Sequence, residues 1–114
     1  MKISEIQQLL QANVLSCHEH LEKDVKSACG SDMMSDVLAF VKDQAVLLTG
    51  LMNMQVIRTA EMMDMICVVF VRNKIPSYDI IELAKEKGIV VMTTEQRMYD
   101  ACGKLYSAGL GQVL

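Results

Sequence analysis

The chain has 114 residues, 52% of them hydrophobic, and a net charge of −3. That supply of apolar residues suits one well-filled core, and the length excludes a second domain. The Lys and Arg residues are scattered from Lys2 to Lys104 without a basic cluster, so no nucleic acid partner is expected. No apolar run approaches the roughly 20 residues that span a bilayer, and no basic start precedes an apolar stretch. No membrane contact is therefore expected, and a cytoplasmic location is the default.

In chain order, "ISEIQQLLQ" sets Ile3, Ile6 and Leu10 at helical spacing, with Ser4 and Gln7 as a capping box and an end near Asn13. "NVLSCHEHL" follows as a short extended segment. "DVKSACGSD" is a second one, in which Val25, Ser27 and Cys29 alternate with Lys26, Ala28 and Gly30. Ser31 or Asp32 caps the helix "DMMSDVLAFV", where Met34, Val37, Leu38 and Val41 make one apolar stripe.

From Ala45 the pattern is regular. "AVLLTG" is a strand, "NMQVIRTAEMMD" a helix and "MICVVFV" a strand with nothing polar inside it. "IPSYDIIELAKEKG" is a helix opened at Pro76 and stopped at Gly88. "IVVMTT" is a further strand, and Thr93 with Gln96 forms a capping box for a last helix carrying Met98, Ala101, Cys102, Leu105 and Ala108 on one face. Strands apolar on both faces mark a parallel sheet covered on each side by helices. The expected class is a small α/β domain with a mostly parallel sheet, right-handed crossovers and a doubly wound core.

In such a sheet a ligand binds at the carboxyl ends of the strands, against helix N-termini. The candidate ligand residues are therefore Thr49 and Gly50, then Arg72, Asn73 and Lys74, then Thr93 and Thr94. The competing explanation is purely local: Gly50 turns the chain and the threonines cap helices. Phosphate loops are absent, and Gly109 to Gln112 has no strand before it, so no cofactor is expected. No catalytic residues are assigned, because nothing resembling a nucleophile elbow occurs.

Four cysteines without CxxC spacing fit small hydrophobic thiols in a reducing compartment. "SCHEH" offers Cys17, His18, Glu19 and His20, but an extended chain turns alternate side chains to opposite sides. At most two ligands then converge, and no metal is expected. Methionines run through the loop and helix after the first regular strand. One helix cannot bury all of them against one sheet, so Leu51, Met52, Met54, Met62 and Met63 are candidate contacts in a homodimer or with another protein.

The order of elements, with Ser31-Asp32 and Ser35-Asp36 around two methionines, Thr49-Gly50 at a strand end, Pro76 before a helix and Gly88-Ile89 leading to Thr93-Thr94, resembles the DRTGG domain family over almost the whole chain. The resemblance implies a fold similar to the N-terminal domain of HPr kinase/phosphorylase. It also implies an accessory, dimerising, regulatory role without catalytic activity of its own. The family's Asp-Arg would fall at Leu51-Met52 and its Thr-Gly-Gly at Val71-Arg72-Asn73, and neither is retained.

The expected function is a non-catalytic regulatory or assembly module, homodimeric, taking a small anionic metabolite or nucleotide at the strand ends. Two alternatives stay open: a small phosphate-handling or kinase-related enzyme, and an adaptor for a redox or metal enzyme.

Overall fold

A computed structural model describes residues 1–40 and 44–112. Strands β1 (Asn13–Val14), β2 (Ser27–Gly30), β3 (Ala45–Thr49), β4 (Cys67–Phe70) and β5 (Val90–Thr93) form one sheet in the order β1-β5-β4-β3-β2. β2 through β5 are parallel, and β1 runs antiparallel to β5 at one edge. The helices are α1 (Ile3–Leu10), α2 (Met34–Phe40), α3 (Met54–Met62), α4 (Tyr78–Lys87) and α5 (Met98–Ser107).

Every residue of β3, β4 and β5 is buried, because successive side chains point to opposite faces and both faces are covered. Val46, Leu48, Cys67, Val69, Val90 and Met92 face a core closed by Ile3, Ile6 and Leu10 of α1 and Ala101 and Leu105 of α5. Leu47, Val68, Phe70 and Val91 face a second core with Met34, Val37, Val56, Ile57, Ile80 and Leu83 from α2, α3 and α4. Of the stripe expected on α2, Met34 and Val37 are buried, Leu38 is exposed, and Val41 lies outside the described residues.

Two-sided cover is as expected, but the winding is not doubly wound in the symmetrical sense. β2, β3, β4 and β5 lie side by side in chain order, so right-handed crossovers put α2, α3 and α4 all on one face. The other face is closed by the terminal helices α1 and α5. Connections first part to opposite faces between β4, which leads into α4, and β5, which leads into α5. That parting is the fold's switch point, and it fixes where a crevice opens.

The first half departs most from expectation. "NVLSCHEHL" is extended only at Asn13–Val14, and the chain then curls into a 3₁₀ turn at His18–His20. Two causes are visible. Cys17 takes left-handed dihedrals (φ 54°), which end the extended run. The buried Ser16 hydroxyl donates to the Ile89 carbonyl and accepts from the Val91 N–H, both at 2.8 Å, so a side chain takes over where the ladder stops. β1 and β2 consequently lie at opposite edges of the sheet.

Helix starts also differ. At α1 the Lys2 N–H donates to Glu5 Oε1 (3.2 Å), displacing the Ser4–Gln7 box, and the helix stops at Leu10 with Gln11 in the left-handed region. α4 begins after Ser77, whose hydroxyl accepts from the Ile80 N–H, and ends at Gly88, whose φ of 71° suits glycine. The Thr93–Gln96 box does not form, because the Thr93 hydroxyl donates to the Lys74 carbonyl (2.6 Å). α5 instead starts after Arg97, which makes no side-chain cap.

Candidate functional site

The seven candidate ligand residues all lie at the carboxyl edge of the sheet; six of them divide into two groups, and the Lys74 side chain joins neither. Thr49, Gly50 and Arg72 gather around Asp32. One carboxylate oxygen of Asp32 accepts from the Gly50 N–H at 2.7 Å and from the Thr49 hydroxyl at 3.1 Å. The other faces Arg72 Nη2 at 3.5 Å, with both side chains a little under half exposed. The Thr49 hydroxyl oxygen in turn accepts from the Leu51 N–H at 3.1 Å. The Gly50 N–H, then Thr49 and Arg72, hold the Asp32 carboxyl below the usual carboxylate range.

Gly50 is required here by a close approach. A Cβ at that position would sit 2.0 Å from Arg72 Nη2 and 2.7 Å from Cζ, so the guanidinium lies directly on the glycine. Arg72 and Asn73 both take left-handed dihedrals (φ 61° and 58°) and turn the chain sharply out of β4. Their N–H groups donate to the carbonyls of Gln96 (2.7 Å) and Thr94 (2.9 Å), which pins this loop to the one leaving β5.

Asn73, Thr93 and Thr94 belong to the second group. They line a polar crevice of about 380 Å³ with Leu10, Gln11, Asn13, Glu95 and Gln96. The crevice opens between β4 and β5, at the switch point, roofed by the end of α1 and the start of β1. Two side chains converge on the Leu10 carbonyl at the end of α1: the Thr94 hydroxyl at 2.7 Å and Gln96 Nε2 at 3.2 Å. A carbonyl needs a donor, and this orients the Gln96 amide with Oε1 as its other end. That oxygen is buried and has no partner among the described residues. Lys74 contributes its carbonyl to Thr93, and its side chain is exposed.

Chemically, the strand-end N–H groups expected to meet an anion are largely engaged. Gly50 donates to Asp32, Leu51 to Thr49, and Arg72 and Asn73 to carbonyls. Free recognition capacity rests on side chains: Asn73, Gln96 and the exposed cation Lys74, while Arg72 is shared with Asp32.

Of the apolar candidates, Met62 stands out at 67% exposed. Leu51, Met52, Met54 and Met63 are half-buried and pack against the core beneath α3. Among the described residues, other exposed large apolar side chains sit elsewhere, the most exposed being Ile75, Tyr78, Tyr99 and Tyr106.

Sequence reasoning offered Ser31 or Asp32 as the cap of α2; Ser31 instead closes a local turn by accepting from the Met33 N–H (3.0 Å), and Asp32 turns to Thr49 and Gly50. It missed Leu10, Gln11, Asn13, Glu95 and Gln96 as crevice residues. The available signal was Gln96, a long amide two residues past a strand-end Thr-Thr. The metal expectation at "SCHEH" also rested on an extended chain that is not formed. In the 3₁₀ turn, the ligand atoms of Cys17, Glu19 and His20 all lie within 4.8 Å of one another.

No curated protein matches this chain. Among solved structures, it is similar to the CBS and DRTGG domains of the regulatory region of Clostridium perfringens pyrophosphatase, complexed with its activator diadenosine tetraphosphate. The TM-score is 0.77 at 19% identity, and the match covers 91% of this chain and 45% of that one. The chain thus corresponds to less than half of that regulatory region, and the likeness is one of fold. No helix among the described residues is long and apolar enough to cross a membrane. The family model for the DRTGG domain matches residues 5–108, and the chain belongs to that family.

Proposed function

We propose that this protein is a non-catalytic regulatory or assembly module, homodimeric, that takes a small anionic metabolite or nucleotide at the carboxyl edge of its sheet. The observation that carries this reading is the crevice between β4 and β5. It lies at the switch point and is polar. One of its lining residues, Gln96, also carries a buried side-chain oxygen without a partner among the described residues. A buried acceptor left unpaired costs roughly 1–3 kcal/mol, which a ligand N–H or O–H would recover. Lys74, exposed on the same loop as the crevice residue Asn73, is the nearest candidate cation for a phosphate, whereas Arg72 is paired with Asp32. The neighbour's regulatory region, crystallised with a dinucleotide activator, supports the ligand class.

Isothermal titration of the purified chain with AMP, ATP, diadenosine tetraphosphate and inorganic phosphate tests it. Saturable binding weakened about tenfold by Gln96→Ala is expected, without turnover of the nucleotide. Light scattering at micromolar concentration should give a dimer mass. A clean monomer that binds none of the panel would overturn the reading. ATP hydrolysis lost in Thr49→Val or Lys74→Ala would favour the phosphate-handling enzyme instead.

A further inference from the structure

A second cluster lies at the opposite end of the sheet, beside the start of β5. The Ser16 hydroxyl ties this segment to Ile89 and Val91, whereas the crevice sits beyond Thr93. Cys17, Glu19 and His20 come together here because the chain leaves β1 through a left-handed Cys17 and closes at once into the 3₁₀ turn. Their ligand atoms lie within 4.8 Å of one another, and Glu19 Oε1 is 3.5 Å from His20 Nε2. The Cys17 thiol is buried and directed at the Ala84 carbonyl of α4, 4.0 Å away. The His20 ring is three-quarters buried, while Glu19 is exposed. A cavity of about 460 Å³ adjoins the cluster, lined by Leu15, Ser16, Cys17, His18, Glu19 and Lys85.

We propose that Cys17, Glu19 and His20 bind a divalent transition-metal ion of the zinc class. Thiolate, imidazole and carboxylate together select a borderline-soft ion, whereas Mg²⁺ and Ca²⁺ require oxygen donors throughout. Bond lengths of about 2.0–2.3 Å around a tetrahedral ion put neighbouring donors roughly 3.3–3.8 Å apart. The Glu19–His20 edge already has that spacing; rotation of the exposed Glu19 side chain draws in the Cys17–Glu19 edge, and a small turn of the His20 ring draws in the Cys17–His20 edge. The fourth position opens on the cavity, so the site has three protein ligands and one place for solvent or an incoming donor. Binding replaces the thiol S–H by a metal–sulfur bond and releases that proton to solvent. Lys85, the nearby cation, is held by Glu82 at 3.0 Å, which limits its repulsion of the ion. The ion would clasp the β1–β2 excursion into one rigid turn, independently of any ligand in the strand-end crevice.

The test uses the full chain, purified without a histidine tag and freed of metal by chelator. Co²⁺ titration is expected to produce a thiolate-to-cobalt charge-transfer band saturating at one ion per chain. Zn²⁺ should abolish that band by competition. Cys17→Ser should remove the band, His20→Ala should weaken Zn²⁺ binding about 100-fold and Glu19→Gln about tenfold, while Cys102→Ser leaves both signals unchanged. Glu19 is exposed, so Glu19→Gln keeps the native circular dichroism spectrum, and a weakened Zn²⁺ affinity in that variant keeps the test valid whatever Cys17→Ser or His20→Ala does to folding. Absence of the charge-transfer band in the parent chain, its persistence in Cys17→Ser, or unchanged Zn²⁺ affinity in His20→Ala would overturn the site.

Discussion

The Asp32 carboxylate accepts a 2.7 Å hydrogen bond from the Gly50 N–H, so the end of β3 carries an internal anion where an external one was expected. The same carboxylate neutralises Arg72, whose guanidinium rests on Gly50. Replacing Asp32 with Ala removes one charged acceptor and leaves the Thr49 hydroxyl and the Gly50 N–H to be met by water. Hydrogen bonds to a charged group contribute about 1.5–3 kcal/mol when buried, and this site is nearly half exposed, so a loss of about 1 kcal/mol is expected. For a chain of this size that lowers Tm by roughly 4 °C. Arg72 is released at the same time, so phosphate affinity at the edge should rise while stability falls. Calorimetry and phosphate titration of the one variant check both directions.

Gly50→Ala tests the same relationship from the other side. The added methyl collides with the far end of the Arg72 side chain rather than with backbone, and that chain can swing away. The variant should fold, with Arg72 displaced from Asp32 and a stability loss below that of Asp32→Ala. A variant that fails to fold would show instead that the guanidinium is locked in place.

Acid should weaken this contact in a defined window. The Asp32 carboxyl titrates below its unfolded value of about 3.9 because the Gly50 N–H, Thr49 and Arg72 favour its charged form. The unfolded chain therefore takes up this proton first as pH falls. The stabilisation is complete above the unfolded pKa and disappears as pH drops through the lower folded pKa. The difference in Tm between the parent and Asp32→Asn should be constant from pH 7 to about 5 and shrink below pH 4. A difference that grows in acid would contradict the assignment.

How much of this was legible depends on the range of each interaction. β3, β4 and β5 are recognisable as unbroken apolar runs, since covering both faces of a sheet leaves no polar position. The order of those strands in the sheet leaves no such trace, so the one-sided winding of α2, α3 and α4 emerges only from the structure. An Asp–Arg pair is absent at Leu51-Met52, but one exists in space between Asp32 and Arg72, forty positions apart. Contiguous patterns cannot reveal such a pair. Likewise the crevice needed Leu10 and Gln96 to meet, and the turn at Cys17 needed a non-glycine residue in the left-handed region, which propensity disfavours.

Thr94 is the buried hinge of the crevice. Its hydroxyl donates to the Leu10 carbonyl at 2.7 Å and its oxygen accepts from the Gln96 N–H at 3.3 Å. Thr94→Val keeps the shape and removes both bonds. The Leu10 carbonyl retains Gln96 Nε2, so one acceptor stays paired and the cost should be about 1–2 kcal/mol. The variant separates structure from binding: its Tm should fall by several degrees, and nucleotide affinity should drop along with it because Gln96 loses its anchor. Unchanged affinity would detach Gln96 from recognition.

Ser16 offers the cleanest stability test. Its hydroxyl is buried and serves both the Ile89 carbonyl and the Val91 N–H at 2.8 Å, extending β1 past its two-residue ladder. Ser16→Ala leaves one donor and one acceptor without their side-chain partner, beside a cavity from which water can meet part of the need. Each unpaired group costs about 1–3 kcal/mol, and with water reaching them the low end applies to both, so a total near 2 kcal/mol and a Tm drop of roughly 8 °C are expected. Because Ser16 adjoins Cys17, the variant also loosens the 3₁₀ turn, and protection of the Val91 amide against hydrogen exchange should fall well before that of Val68 in the middle of β4. Equal protection at the two amides would mean that β1 is held by its ladder and not by this hydroxyl.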